Sequence, residues 1–285
     1  MSTSAIFLKG GLLIDDGKPN GAQSKPRLPN ESDRTLLQGI PEERQVLEPS
    51  GDVNMEIPAK NKAFSLVLKG LVALSAAVGV FLSALASKDA FMGGSRVFMY
   101  FTIQSNIVIA ILLLLGAVFL LRRRKLPNAW YIVKFVGTVS ITLTGVVFTF
   151  VLAPTLGRYA WNLQNVLTHV VVPVASILDF FVTGPYGDIP KRDVLLVTLP
   201  PLAYAVYAGI GYAAGWEFAG GTRYPYFFLN WGSPAGAFGF TRELPFMGCV
   251  WWILALLLFL LAVGFVYLLI LDRIKRRIAV RRQSV

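Results

Sequence analysis

Six apolar segments, each near the length needed to cross a bilayer, constrain this chain more than any other feature of its sequence. A transmembrane helix needs about 20 predominantly apolar residues. The segments predicted to cross are residues 64–86, 97–121, 130–153, 163–182, 193–215 and 246–271. Lipid offers the backbone no hydrogen-bonding partner, so each segment has to be helical. The predicted fold class is an all-α polytopic membrane protein whose six transmembrane helices occupy a domain at residues 61–285.

Composition supports a membrane protein and argues against a nucleic-acid-binding one. Only 15% of the residues are charged, whereas soluble domains carry about 25%. The net charge of +11 sits in short runs at the ends of apolar segments, such as Arg122–Lys125 and Lys191–Arg192. That distribution is typical of the positive-inside rule and differs from a basic stripe interleaved with exposed aromatic residues. We therefore expect membrane lipids as partners and no nucleic acid.

Residues 1–60 differ from the rest of the chain. They are rich in Pro, Gly, Asn, Glu and Lys, and nine acidic residues outnumber seven basic ones. No periodic apolar face is present, so the segment cannot bury enough apolar surface to order itself. We predict a disordered N-terminal tail.

The fourth segment contains the only histidine of the chain, His169. An ionisable side chain inside a membrane span is costly and is by default a functional-site hypothesis. At about 100° per residue, several polar residues share its side of the helix, and Thr102 begins a similar polar face on the second segment. These faces predict a polar pocket between helices. The supporting residues are Ser105, Asn106, Asn162, Gln164, Asn165 and Ser176.

Thr102 and His169 are predicted to lie at the same depth. Each is five or six residues inside the outer end of its segment, or roughly 8–9 Å along the helix axis. A threonine hydroxyl becomes a nucleophile when a neighbouring base takes its proton, and histidine suits that role near neutral pH. The matched depth thus favours a Thr102–His169 catalytic pair.

Structural roles for the same residues remain open. A threonine in a membrane helix often bonds its own backbone one turn back, and His169 could tie two helices together. Asp179 lies ten residues beyond His169, or about 15 Å along the axis, so we expect it to pair with a basic residue near the inner boundary. Asn165, Asn106 or a backbone carbonyl are better candidates to orient the imidazole.

The sequence predicts neither a metal nor a cofactor. One histidine, one cysteine (Cys249) and no His-Glu-x-x-His pair leave no recognisable ligand set.

Three motifs carry a resemblance to a known family. They are YFTIQSN at residues 100–106, His169 and Pro173 with Asp179 after them, and YPYFFLN at residues 224–230. Together they resemble the Pr-six-Pr family of membrane proteins, which is distantly similar to the androgen-induced and androgen-dependent integral membrane proteins of animals. The resemblance covers roughly residues 64–271.

The resemblance implies a function. In the animal relatives, an intramembrane threonine and histidine act as nucleophile and base in hydrolysing fatty acid esters of hydroxy fatty acids. Those roles fall on Thr102 and His169 here, so a lipid-ester hydrolase acting on a fatty acid ester is expected. The alternative is a non-catalytic multi-pass membrane protein that binds lipid or transports a small solute through the same pocket.

Charge also predicts the topology of the chain. With the tail in the cytoplasm, the long basic runs all fall on the inner side. The outer loops then hold only isolated basic residues, namely Lys88, Arg96, Arg158, Arg223 and Arg242.

We predict that both termini are cytoplasmic. Accessibility reporters fused to either terminus should report the cytoplasm, and a reporter inserted within residues 220–239 should report the opposite side. Termini on opposite sides would mean that one of the six spans does not cross.

Overall fold

A computed structural model of the protein describes residues 56–86 and 94–283. The predicted class is confirmed: six helices are long and apolar enough to cross a membrane, and no strand is present among the described residues. Most of the predicted tail lies outside the described residues. The six spans are α1 (Ala59–Ala86), α2 (Phe101–Leu121), α3 (Asn128–Trp161), α4 (Leu163–Tyr186), α5 (Lys191–Ala213) and α6 (Cys249–Gln283).

Some helices extend beyond the predicted segments. The first helix begins at Ala59, before the predicted start at residue 64, and the last runs to Gln283, past residue 271. Charged residues occupy both extensions, including Lys62 and Arg273. Lysine and arginine are good helix formers, so a helix continues through them after its apolar part has ended.

Three spans change helical register along their length. The third is α-helical over Asn128–Val147 and then makes a π-turn at Phe148–Leu152. The fourth contains a π-turn at Leu167–Val171, and the fifth begins as a 3₁₀-helix at Lys191–Thr198. The remaining parts are α-helices Ala153–Leu156, Leu163–Val166, Val172–Thr183 and Leu199–Ala213, with short 3₁₀-helices Gly94–Met99, Gly157–Trp161, Gly184–Tyr186 and Phe227–Leu229.

The third span lies at the centre of the bundle. It packs against α2 and α4 on one side and against α5 and α6 on the other. In contrast, α1 carries a row of exposed apolar residues three or four positions apart, a spacing that places them on one face. This row fits a lipid-facing surface and comprises Phe64, Val67, Leu71, Leu74 and Val78.

One buried carboxylate joins three of the spans. Asp179 on α4 accepts hydrogen bonds from Lys69 on α1 at 2.6 and 2.7 Å, and from Lys134 on α3. None of the three side chains is exposed. The expected pairing of Asp179 with a basic residue is therefore confirmed, but its partners lie inside the spans. Lys69 follows the first residue of α1 by ten positions, or about 15 Å.

Neighbouring side chains complete this ion cluster. The Ser65 hydroxyl donates to Asp179 at 2.5 Å and accepts from Lys69 at 2.6 Å. Lys134 also donates to the Thr183 hydroxyl at 2.6 Å. The indole of Trp130 lies 4.9 Å from the Lys134 ammonium and 5.7 Å from that of Lys69. The cluster holds two lysines and only one carboxylate. Because an aromatic face attracts a cation, the Trp130 ring partly stabilises the additional positive charge.

We predict unequal effects of removing the charges of this cluster. Asp179→Asn leaves two buried lysines without a counter-charge, and the free energy of unfolding should fall by about 3–5 kcal/mol. Lys69→Met leaves one lysine paired with one carboxylate, so the decrease in the free energy of unfolding should be clearly smaller. Unfolding of both variants in detergent measures the difference. Equal losses would show that the positive surplus has no energetic consequence.

Candidate active site

The backbone around His169 departs from a regular α-helix. In the π-turn that contains it, the Val172 N–H bonds the Leu167 carbonyl, five residues back. Pro173 follows and has no N–H to offer the carbonyls one turn before it. The Thr168 carbonyl receives a hydrogen bond from the Asn106 side chain of α2 instead, at 3.1 Å. The side-chain amide of Asn106, on a different helix, thus supplies the hydrogen-bond donor that Pro173 lacks.

Asn106 also ties the two candidate catalytic residues together. Its Nδ2 atom donates both to the Thr168 carbonyl and to the Thr102 carbonyl, the latter at 2.8 Å. The backbone beside His169 and the backbone of Thr102 therefore lie within hydrogen-bonding distance of one nitrogen atom. The equal depth of Thr102 and His169 stays a prediction, and this shared donor supports it.

Hydrogen bonds define the tautomer of the imidazole. The Nδ1 atom of His169 lies 3.0 Å from the Asn165 carbonyl oxygen and 3.0 Å from the Thr168 hydroxyl. That hydroxyl already donates its hydrogen to the Gln164 carbonyl, and a carbonyl oxygen only accepts. Nδ1 therefore carries the proton, which leaves the Nε2 lone pair able to act as a base. A backbone carbonyl, one of the expected candidates, orients the ring.

An aromatic ring covers one face of the imidazole. Phe148, in the π-turn of α3, stacks on His169 with a centroid distance of 3.7 Å. The two helices approach closely here because residue 145 is glycine: a Cβ at Gly145 would lie 2.8 Å from the His169 carbonyl oxygen. His169 is 8% exposed.

Thr102 lies in the first turn of α2, and its hydroxyl contacts the loop after α5. Its oxygen is 3.4 Å from the phenol oxygen of Tyr226, which also accepts a hydrogen bond from the Thr102 N–H at 3.3 Å. Burial raises the pKa of the Tyr226 phenol, so the phenol stays protonated and able to donate. The structural role considered for Thr102 was a hydrogen bond from its hydroxyl to a backbone carbonyl one turn back. No such bond is present among the described residues.

Thr102 lines an apolar cavity. The walls come from α2, α3, α5, α6 and the loop that contains Tyr226, and Phe148 forms part of them. Within the described residues no hydrogen bond joins Thr102 to His169. One face of Phe148 stacks on the imidazole, so the phenyl ring adjoins both the cavity and His169.

The other predicted pocket residues divide into separate groups. Ser105 donates to the Thr102 carbonyl at 3.0 Å and pairs with Thr144, a cavity residue, at 2.8 Å. Asn162 caps the start of α4 by accepting from the Asn165 N–H, and Asn165 donates to the Ala160 carbonyl. The remaining two are half-buried Gln164 and fully buried Ser176, whose hydroxyl has no partner among the described residues.

Two residues of this region were not predicted from the sequence. Tyr226 belongs to the YPYFFLN motif, which contributes to the family resemblance. Nothing in the sequence indicated that this tyrosine contacts Thr102. Phe148 carried no signal, because a phenylalanine in an apolar span is ordinary. In residues 56–86 and 94–283, no three His, Cys, Asp or Glu side chains converge as a metal site would require.

Comparisons of the chain with protein-family models, with curated proteins and with solved structures find no match in any of the three. Function is therefore inferred from the cavity and the residues around it.

Proposed function

We propose that this integral membrane protein hydrolyses fatty-acyl esters, with Thr102 as nucleophile and His169 as base. The observation that carries the proposal is the Thr102 hydroxyl, held beside a protonated phenol at the wall of an apolar cavity. The cavity suits an acyl chain, since ligand pockets combine apolar walls with a few placed polar groups. The resemblance to the hydrolase family supports the same two residues.

The reaction divides into two steps. The Thr102 oxygen forms a bond to the acyl carbon while His169 Nε2 takes the hydroxyl proton. The carbon–oxygen bond to the alcohol then breaks, and the imidazolium returns the proton to the leaving oxygen. In the second step Nε2 takes a proton from a water molecule, whose oxygen bonds the acyl carbon. The bond between the acyl carbon and the Thr102 oxygen then breaks, the imidazolium returns the proton to that oxygen, and the fatty acid is released. The Tyr226 phenol donates to the negative oxygen that develops in each step.

The proposal requires a movement of Phe148. Phe148 lines the cavity and stacks on the imidazole, whereas His169 does not line the cavity. Proton transfer from Thr102 therefore needs the phenyl ring to turn aside when a substrate enters. Catalytic hydrogen bonds are often formed only in the complex with substrate.

A second candidate is a non-catalytic lipid-binding protein that uses the same cavity. The missing hydrogen bond between Thr102 and His169 favours it. Transport driven by protons has less support, because Asp179 is the only buried acidic residue among those the structure describes, and two lysines already neutralise it.

We predict that Thr102→Val abolishes ester hydrolysis and labelling by a fluorophosphonate probe, because it removes the nucleophile and keeps the β-branched shape. His169→Gln should abolish hydrolysis as well, and the double variant should be no worse than either single one. Initial rates of fatty-acyl ester hydrolysis in detergent measure the effect.

Thr142→Val is the matched control. It removes another contact between a threonine and a tyrosine hydroxyl, to Tyr267 at 3.0 Å, but Thr142 does not line the cavity. Both threonine variants should lose a similar amount of stability, about 0.6 kcal/mol, while only Thr102→Val loses activity. Full activity in folded Thr102→Val would end the assignment, and lipid retention without hydrolysis in the wild type would support the binding protein.

We further predict that Tyr226→Phe lowers the turnover number by about 10²-fold, the usual effect of removing one donor to a developing oxyanion. The phenyl ring preserves the packing, so lipid retention should remain. A decrease in lipid retention together with an unchanged turnover number would contradict the proposed role of the phenol.

A further inference from the structure

A second cavity lies at the end of the bundle where α1 begins and α2 ends. We call this the basic end. Charged and hydroxyl groups dominate its lining, in contrast to the apolar cavity beside Thr102. The polar residues that line it are Glu56, Lys62, Arg123, Arg124, Lys125, Tyr131 and Tyr186.

Among the described residues, the positive charges of this cavity outnumber the negative ones. Four cationic side chains line it against the single carboxylate of Glu56. Within the part of the chain that the structure describes, none of the four cations belongs to an ion pair. Like charges held around one space repel each other, so an anion placed there would be stabilised by all four.

The backbone presents one of these cations in a strained conformation. The α2 helix ends with the Arg124 N–H bonded to the Phe119 carbonyl and the Arg123 N–H bonded to the Leu120 carbonyl. This is the helix end at which glycine usually occupies the left-handed position. Arg123 occupies it here, with φ of +53°. Left-handed backbone is unfavourable for a residue with a side chain, so arginine has no conformational advantage over glycine at this point.

A hydroxyl group at the cavity is free to donate. The Tyr186 oxygen accepts a hydrogen bond from the Asn61 side chain at 3.2 Å, which leaves its own hydrogen available. Guanidinium groups, ammonium groups and a phenol together form the donor set that recognises phosphate oxygens.

We propose that this cavity binds the phosphate group of an anionic lipid. The source is a lipid and not a free phosphate, because the cavity lies at the end of apolar spans, and exposed apolar residues follow its lining residues within two positions of the chain. Leu121 is 68% exposed beside the lining residue Leu120, and Phe64 is 50% exposed near Lys62. The headgroup would occupy the cationic cavity while its acyl chains lie along those surfaces. The inference is independent of the proposed hydrolase.

Arg123→Gly tests the site with little risk to folding, because glycine relieves the left-handed strain while the cation is lost. The full chain is reconstituted in phosphatidylcholine nanodiscs that contain increasing amounts of a fluorescent phosphatidic acid. The affinity for this lipid is measured from its fluorescence. Affinity should fall more than about tenfold in Arg123→Gly, since hydrogen bonds between charged groups are the strong ones. The unfolding temperature should not fall.

Arg122→Gln is the matched control. Arg122 is exposed, carries the same charge one residue earlier, and does not line the cavity. Loss of its general attraction to an anionic surface should lower affinity by no more than about fivefold. Equal losses in the two variants would mean that the basic run acts only as a diffuse surface charge, which overturns the site.

Competition separates a lipid from a soluble ligand. Inorganic phosphate and glycerol 3-phosphate should displace the fluorescent lipid only weakly, because they lack the apolar part. Displacement by the soluble phosphates as effective as that by unlabelled phosphatidic acid would overturn the assignment to a lipid.

Discussion

The Asp179 carboxylate is the contact on which the arrangement of the spans depends. Apolar helices in lipid gain no hydrophobic energy by packing together, so polar contacts and close packing decide which faces meet. Lys69 and Lys134 each place a cation inside a span, and a single carboxylate on α4 serves both. That requirement brings α1, α3 and α4 together at one level. The same α3 and α4 meet again at Gly145, where the His169 carbonyl approaches the glycine backbone. The ion cluster and the candidate active site are thus two points along one helix–helix contact.

The number and positions of the spans could be predicted because lipid imposes a length of apolar sequence. The helix ends could not be predicted in the same way, since an apolar window reports where lipid begins and not where the helix stops. Lys62 and Arg273 lie within helices that continue past the apolar part. The contact of Asp179 was foreseen only as a pair near the boundary. Lys69 and Lys134 are themselves a sequence signal, because a lysine deep within an apolar span requires a partner.

Residue counts could predict the depth of Thr102 and His169 along their helices. They could not predict how the side chains around these two residues are arranged. Residue counts placed Thr102 and His169 at one level, and the shared donor Asn106 agrees with that. The polar stripe on α4 was built on a regular α-helix. A π-turn adds a residue to the local register and so rotates all later positions by about 100° relative to the earlier ones. Ser176 lies after the π-turn at Leu167–Val171, so a count based on a regular helix misplaces its face relative to that of Asn162 and Asn165. The contact between Tyr226 and Thr102 joins residues far apart in the chain, so no local pattern encodes it.

The polar wall of the apolar cavity has to supply the selectivity of any lipid site there. A lipid tail that leaves the bilayer for an apolar cavity exchanges one apolar environment for another, so its transfer contributes little free energy. What the bilayer interior lacks is a hydrogen-bond donor for an ester carbonyl, and Tyr226 and Thr102 provide two hydroxyl groups at one point of the wall. The stacking of Phe148 on His169 contributes only about 0.5–1.5 kcal/mol, which is comparable to one hydrogen bond. In the proposed site, hydrogen bonds from these hydroxyls to an ester would offset the lost stacking, whereas a tail without a carbonyl would have no such contact.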